Sequence, residues 1–268
     1  MATVPVPQVN HDLHVPGWKP IRDAVQTVGE LGIFTFRVCK AMVRPPYEFR
    51  EFIHQLDLIG SMSMPLIALA GAATGVVLSL QTRDSLTRFG AKSVLPVVIV
   101  FSLIKETGPI ITGLVASGRV GAGIGAELGS MKVTEQIDAM EASAVDPHKY
   151  LAATRVLAAI VALPLLTIVA DFCGIMAGWV ATTLAEPVSL RLFIENGFKS
   201  VTFDDIIPPT MKTAVFGLII GLISTFQGMR TRGGTEGVGR SATGSVVLSS
   251  LLIILADVIL VRLIIEFF

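Results

Sequence analysis

The sequence LIGSMSMPLIALAGAATGVVLSLQT occupies residues 58–82 and contains no charged side chain. A helix needs about 20 mostly apolar residues to cross the hydrocarbon core of a bilayer, and this run is long enough to do so. Further uncharged runs cover residues 156–170, 213–229 and 241–256. None of them shows the strict alternation of a membrane barrel strand. The sequence therefore predicts an all-α polytopic membrane protein.

The composition of the chain agrees with a membrane location. Of its 268 residues, 52% are hydrophobic and 16% are charged, and the mean hydropathy is +0.71. An average soluble domain carries roughly 25% charged residues. The formal net charge is zero, so the total charge gives no information about nucleic-acid or acidic ligands. We expect no nucleic-acid partner. Cys39 and Cys173 are far apart without a CxxC motif, which favours small apolar fillers over a disulfide or a metal site.

The N-terminal part is divided by its composition into two segments. Residues 1–20 are rich in Pro and polar side chains, and we expect them to be flexible. They lack a basic region followed by a short apolar region, so they do not form a cleaved signal peptide. Residues 21–60 contain two amphipathic stretches separated by Pro45, which predicts two helices lying in the membrane interface. The alternative is that these helices pack on the cytosolic side of the bundle.

Residues 61–268 are expected to form a domain of five membrane spans. Counted over the N-terminal segment, the segments between the spans and the C-terminal end, twelve Lys and Arg residues lie on one side and six on the other. The more basic side faces the cytosol, so we expect a cytosolic N-terminus and a periplasmic C-terminus. A short surface helix is predicted around 190–198 on the outer side. The spans are predicted at about 61–84, 93–117, 150–181, 207–229 and 242–265.

The second predicted span has a charged centre formed by Lys105 and Glu106. A charge at mid-bilayer costs several kcal/mol unless it is paired or hydrated, so it marks a candidate functional site. Pro109 removes a backbone hydrogen bond and should kink the helix near Glu106. These residues could line a translocation path. Alternatively, they could form a structural ion pair with Arg119 or Lys212.

Two further acidic residues fall within predicted spans. Asp171 could pair with a neighbouring helix. Asp257 lies five residues before Arg262 near the outer end of its span, where both side chains could reach the interface. Two isolated acids are only a weak indication of a proton relay.

The sequence contains no enzyme motif. Gly121, Gly123 and Ala126 match G-x-G-x-x-A, but a membrane span precedes them instead of the strand that dinucleotide binding requires. There is no G-x-x-x-x-G-K-[ST], so the chain does not bind ATP through a P-loop. H-E-x-x-H and G-x-S-x-G are also absent, and no metal site or catalytic group is expected.

The polar segment 117–147 is far longer than a simple loop between spans requires. Its pattern predicts an amphipathic acidic helix at about 122–141. Such a helix could insert into the groove of a soluble partner, or it could lie against its own bundle. The pattern alone leaves these two interpretations open.

Several motifs in order resemble the MlaE/YrbE family, the permease subunits of MCE-type ABC transporters. The resemblance covers roughly residues 45–268. It rests on KETGP (105–109), ASGRVG (116–121), AELGSM (126–131), VTEQIDAME (133–141) and VDP (145–147).

This resemblance implies an MlaE-like permease with five spans preceded by interfacial helices, located in the inner membrane. It implies a second permease copy, identical or a paralogue, and two copies of a separate ATPase that binds ATP and Mg. It also implies an MCE-domain protein on the periplasmic side, with phospholipid as the transported molecule. The coupling helix that docks in the ATPase would offer Glu127, Met131, Glu135, Gln136, Asp138 and Glu141. The substrate path would include Lys105, Glu106, Pro109 and Arg119.

Two other functions remain open on the sequence alone. An ion-driven secondary carrier usually has internal repeats, and five spans do not divide into equal halves. A membrane scaffold without transport would have little use for charges at mid-bilayer. The ATP dependence of lipid movement distinguishes the proposed permease from both.

Overall fold

The computed structural model describes residues 19–45 and 47–267, and every regular element among them is helical. A 3₁₀ turn at Lys92–Val94 and three π-helical turns, Leu103–Thr107, Ser117–Gly121 and His148–Ala153, join some helices without a break. The α-helices of the described residues are α1 Lys19–Val43, α2 Phe49–Arg88, α3 Leu95–Ser102, α4 Gly108–Ala116, α5 Ala122–Val133, α6 Gln136–Ala142, α7 Thr154–Ala185, α8 Leu190–Phe198, α9 Phe203–Met229 and α10 Gly234–Phe267.

Five helical stretches are long and apolar enough to cross a membrane, and each contains one of the five predicted spans. The helical membrane fold is therefore confirmed. The helices run beyond the predicted ends because hydropathy marks only the part of a helix in the hydrocarbon core. They cover Phe49–Arg88, Lys92–Val133, His148–Ala185, Phe203–Met229 and Gly234–Phe267.

The predicted boundary at residue 60 does not exist, because α2 runs unbroken from Phe49 into the first span. Gly60 is tolerated inside this long helix, and Phe49 and Ile53 point outward. Only α1 is a separate amphipathic helix, and it ends at Val43, just before Pro45, as predicted. The expected flexible residues 1–20 lie outside the described residues, except for 19 and 20, which begin α1.

Glycines hold the first span tightly against the third. A Cβ added at Gly71 would lie 2.4 Å from the carbonyl oxygen of Ala170, and one at Gly75 would lie 2.0 Å from that of Gly174. No side chain larger than hydrogen fits at either position. Small residues four apart are a common way for membrane helices to approach closely. This pair of glycines therefore serves packing within the chain.

The fourth span packs on the third in the same way. A Cβ at Gly217 would lie 2.3 Å from the carbonyl oxygen of Ala159, and one at Gly221 would lie 2.8 Å from Cα of Val156. The helix α7 is thus in close contact with both α2 and α9, which places it at the centre of the bundle.

The second spanning helix continues past Ser117, where the predicted span ends. Its last part, α5, packs on α10, and the Ser241 hydroxyl donates a 3.1 Å hydrogen bond to the Gly125 carbonyl. The prediction of one continuous helix at about 122–141 is wrong. The segment forms two helices, since α5 ends at Val133 and α6 begins at Gln136. Glu135 between them has a φ of 60°, a left-handed conformation that ends one helix before the next begins.

The predicted surface helix is confirmed as α8, with the bounds expected from the sequence. The Ser189 hydroxyl accepts a hydrogen bond from the backbone N–H of Leu192, which caps its first turn. Phe193 is fully buried, and Gly197 permits close contact with Val100 of α3. The helix therefore covers the start of the second span.

Candidate functional site

Charged side chains from three spanning helices meet inside the bundle. Lys212 of α9 donates to Glu106 at 2.8 Å and lies 2.9 Å from Asp257 of α10. The Lys212 side chain is only 1% exposed. One buried ammonium is thus the shared partner of two carboxylates, and its attraction to both offsets part of the cost of desolvating these groups.

A second ion pair lies beside the first. Lys105 is 2.7 Å from Asp205, near the start of α9, and its ammonium lies 4.4 Å from the centre of the Phe101 ring. Asp205 also accepts hydrogen bonds from Thr202, which completes a capping box at the start of α9. We use the name charged cluster for Lys105, Glu106, Asp205, Lys212 and Asp257.

The geometry of two helices brings the cluster together. Asp205 and Lys212 are seven residues apart, so they lie on one face of α9. Lys105 and Glu106 belong to the π-helical turn Leu103–Thr107. This turn is separated from Pro109 by Gly108 alone. Pro109 cannot donate a backbone hydrogen bond, and π-helical turns are frequent at functional sites. The expected distortion near Glu106 therefore takes the form of a π-helical turn.

The cluster is open on one side. The side chains of Glu106 and Lys105 are 44% and 39% exposed, whereas Lys212 is enclosed. The cluster carries three acidic and two basic groups. It can therefore offer charges of both signs to a polar group that enters the bundle from the exposed side.

Of the two partners considered for Glu106, the structure shows Lys212. Arg119 is exposed, contacts the Met62 sulfur at 3.7 Å and lies outside the charged cluster. The expectation that Asp257 and Arg262 reach the interface together is wrong, because Asp257 is buried and paired with Lys212.

Asp171 does not pair with a neighbouring charge. Its Oδ1 is buried and has no hydrogen-bond partner among the described residues. The carboxyl packs on the backbone at Gly108, where an added Cβ would lie 1.7 Å from Oδ1. Glycine is therefore the only residue that fits at this position beside the π-helical turn.

The sequence alone could not assign Asp205 to the site, because its position near a helix start also fits simple capping. The seven-residue spacing from Asp205 to Lys212 was the one available signal, since it places an acid and a base on one helical face.

The helices α5 and α6 form an elbow at the end of the second span, and its exposed surface is acidic. Most of the residues expected to contact an ATPase lie on that surface. These are Glu135, Gln136, Asp138 and Glu141. The Lys132 ammonium lies 2.5 Å from the Asp138 carboxylate, so this pair links α5 to α6.

Two residues of that expected set are used within the chain. Glu127 lies 2.8 Å from Arg155 of α7, whose side chain is 2% exposed. Arg155 also donates to the Leu151 carbonyl at 3.0 Å. Met131 packs against the hydrophobic core. The Glu127 side chain remains 49% exposed despite its ion pair. The sequence could not reveal these contacts, because it shows only that both residues lie on an amphipathic helix.

At the opposite end of the bundle, Glu186 lies just beyond α7. It accepts a hydrogen bond from Lys92 and lies 3.7 Å from Arg83. These two cations hold the pKa of Glu186 below its ordinary value. Arg83, Lys92 and Glu186 therefore link the ends of the first three spans to one another.

Five spanning helices, a charged cluster between them and a helical elbow at one end define a membrane permease subunit. The chain belongs to the MlaE permease family, because the family model described as Permease MlaE matches residues 52–263. The chain is 38% identical to a probable ABC transporter permease protein of Rickettsia felis, over 89% of this chain and 92% of the relative. It is therefore an ABC transporter permease.

Two other relatives carry more specific names. The chain is 30% identical to the intermembrane phospholipid transport system permease protein MlaE of Haemophilus influenzae, over 90% of this chain and 93% of that protein. It is 31% identical to the chloroplast protein TRIGALACTOSYLDIACYLGLYCEROL 1 of Arabidopsis thaliana, over 85% of this chain and 65% of that protein.

Proposed function

We propose that this chain moves phospholipid or a related lipid between the inner membrane and a periplasmic MCE-domain protein, driven by a separate ATPase. The observation that carries this proposal is the charged cluster, which lies among apolar spanning helices and is partly open. A lipid headgroup is a polar group that must cross such a bundle, and the cluster offers it charges of both signs. The name of the Haemophilus influenzae relative supports phospholipid as the substrate.

The partners follow from what the chain contains and what it exposes. The sequence has no P-loop, so ATP and Mg would be bound by two copies of an ATPase subunit. The exposed acidic surface of the elbow would dock in that ATPase. A second permease chain, identical or a paralogue, would pack against the exposed apolar face of α10, which includes Leu251, Leu255 and Val258.

The proposal also includes the orientation of the chain. The excess of Lys and Arg in the segments on the side of the elbow supports a cytosolic location for that side. The N-terminus would then be cytosolic and the C-terminus periplasmic. The helix α8 would lie on the periplasmic side, where the MCE-domain protein receives or delivers lipid.

The test is lipid transfer by the complete transporter in proteoliposomes. We expect ATP to drive transfer of fluorescent phospholipid to the MCE-domain protein, and Glu106→Gln to abolish it. The control is Arg88→Gln, an exposed charge at the end of α2 and outside the cluster, which should leave transfer unchanged. Transfer that follows an ion gradient without ATP would instead indicate a secondary carrier, and no transfer under any condition would indicate a scaffold.

A further inference from the structure

An apolar groove lies between α1, α2 and α7, away from the charged cluster. It encloses a cavity of about 290 Å³. Met42, Phe52, Ala153, Leu157 and Val161 supply most of its apolar wall. Three helices thus form a pocket that apolar chains could fill.

The groove follows the third spanning helix and carries charged side chains among its lining residues. Lys149, Ala153, Leu157 and Val161 all line it and are spaced four residues apart, so they form one stripe along the third spanning helix. From Lys149 to Val161 the stripe extends for about 18 Å at 1.5 Å per residue. One charged turn followed by three apolar turns fits a lipid with its headgroup at Lys149 and an acyl chain beside Val161.

The charged end carries one group of each sign. Glu48 and Lys149 both line the groove, yet within the described part of the chain neither side chain has an ion pair or a hydrogen bond. A phosphoethanolamine headgroup carries a phosphate for Lys149 and a primary ammonium for Glu48. Both contacts are charge-assisted hydrogen bonds, which are among the stronger polar contacts in proteins.

The mouth of the groove is surrounded by apolar side chains. Tyr47 and Phe49 line the groove and are 63% and 69% exposed. Aromatic side chains and amphipathic helices such as α1 are typical of the interface between a membrane and water. The mouth therefore opens where phospholipid headgroups lie.

We propose that this groove is a binding site for one resident phospholipid of the phosphatidylethanolamine class, which fastens α1 to α2 and α7. The site is separate from the charged cluster. Asp171, which packs on Gly108 next to the cluster, follows Ala153 by 18 residues, or about 27 Å of helix. With the orientation given under the proposed function, on which this point rests, the lipid would belong to the cytosolic leaflet.

The test uses the intact transporter in phosphatidylcholine vesicles that contain a trace of photoreactive phospholipid with a diazirine on its acyl chain. After illumination, mass spectrometry maps the label on the permease. We expect phosphatidylethanolamine to label peptides that contain Leu157 and Val161. Lys149→Gln should lower this labelling about tenfold, the effect of losing one charge-assisted contact. Lys40→Gln, an exposed charge in the last turn of α1, is the matched control and should leave labelling unchanged.

Two further variants test the shape and the headgroup selectivity of the groove. Leu157→Trp should block labelling, whereas Leu165→Trp, two turns further along the outer face of α7, should not. Glu48→Gln should remove the preference for phosphatidylethanolamine over phosphatidylglycerol and leave labelling by phosphatidylglycerol intact.

Equal labelling by both lipids in the wild type, or labelling that Lys149→Gln and Leu157→Trp leave unchanged, would overturn the proposal. Labelling that appears only after removal of residues 2–18 would also overturn it, because the chain itself would then fill the groove. ATP-driven transfer is measured on the same vesicles. Loss of transfer with labelling retained would refute the transport function and leave this site standing.

Discussion

Lys212 is the residue on which the charged cluster depends, because it is the shared partner of Glu106 and Asp257. A buried ion pair contributes little stability compared with apolar residues of the same shape, but removing one partner leaves uncompensated charge. Because Lys212 is enclosed, we expect the cost of removing it alone to be much larger than the net stability that the ion pairs contribute. The effect of the cluster on stability can therefore be distinguished from its effect on transport. This is done by comparing a variant that neutralises Lys212 alone with one that also neutralises Glu106 and Asp257.

We expect Lys212→Met to destabilise the protein by about 3–5 kcal/mol, because two carboxylates lose their shared cation. The triple variant Lys212→Met, Glu106→Gln, Asp257→Asn should recover most of this loss, yet it should remain inactive in lipid transfer. Thermal unfolding in detergent and transfer in proteoliposomes measure the two effects. An active triple variant would show that the cluster is only structural.

Gly75 allows α2 to pack closely on α7 because it has no Cβ. Gly75→Ala would push a methyl group into the Gly174 carbonyl, and we expect a loss of about 2 kcal/mol through overpacking. Gly60→Ala on the same helix is the matched control, since an added Cβ there meets nothing within 4 Å. It should stabilise α2 by up to about 1 kcal/mol. Thermal unfolding of both variants measures the difference, and equal destabilisation would contradict the close contact of α2 with α7.

At the scale of elements, hydropathy predicts where a helix crosses the membrane but not where the helix ends. The Gly-rich run after Ser117 resembles a loop in sequence, yet it is helical because its small residues pack against α9 and α10. Lys105 and Glu106 could be predicted as a site from their position alone. Asp257 could not be assigned to it, because the faces that meet depend on how three separate helices pack.

The elbow is expected to act as the contact to the ATPase. Glu135→Lys reverses an exposed charge at the junction of α5 and α6, so it should weaken association with the ATPase and leave membrane insertion intact. Glu195→Lys, an exposed acid on α8, is the control and should retain the ATPase. Co-purification from detergent extracts measures both. Full retention of the ATPase by Glu135→Lys would remove Glu135 from the proposed contact.

At the scale of the whole molecule, an odd number of spans would put Lys19 and Phe267 on opposite sides of the membrane. The elbow, α1 and the junction of α9 with α10 lie at one end of the bundle, and α8 lies at the other. The fold therefore has one surface suited to a cytosolic motor and another suited to a periplasmic partner. The proposed lipid transport, driven by an ATPase, requires that the elbow face the cytosol and α8 the periplasm.

This orientation can be measured with single cysteines in a chain that carries Cys39→Ala and Cys173→Ala. Thr235 and Ser200 are both exposed, at opposite ends of the bundle, and neither side chain forms a hydrogen bond within the described part of the chain. In intact spheroplasts, a membrane-impermeant maleimide should react with Ser200→Cys and should reach Thr235→Cys only after lysis. The reverse pattern would place the elbow in the periplasm, where no ATP-hydrolysing subunit could dock, and the ATPase-driven mechanism would fail with it.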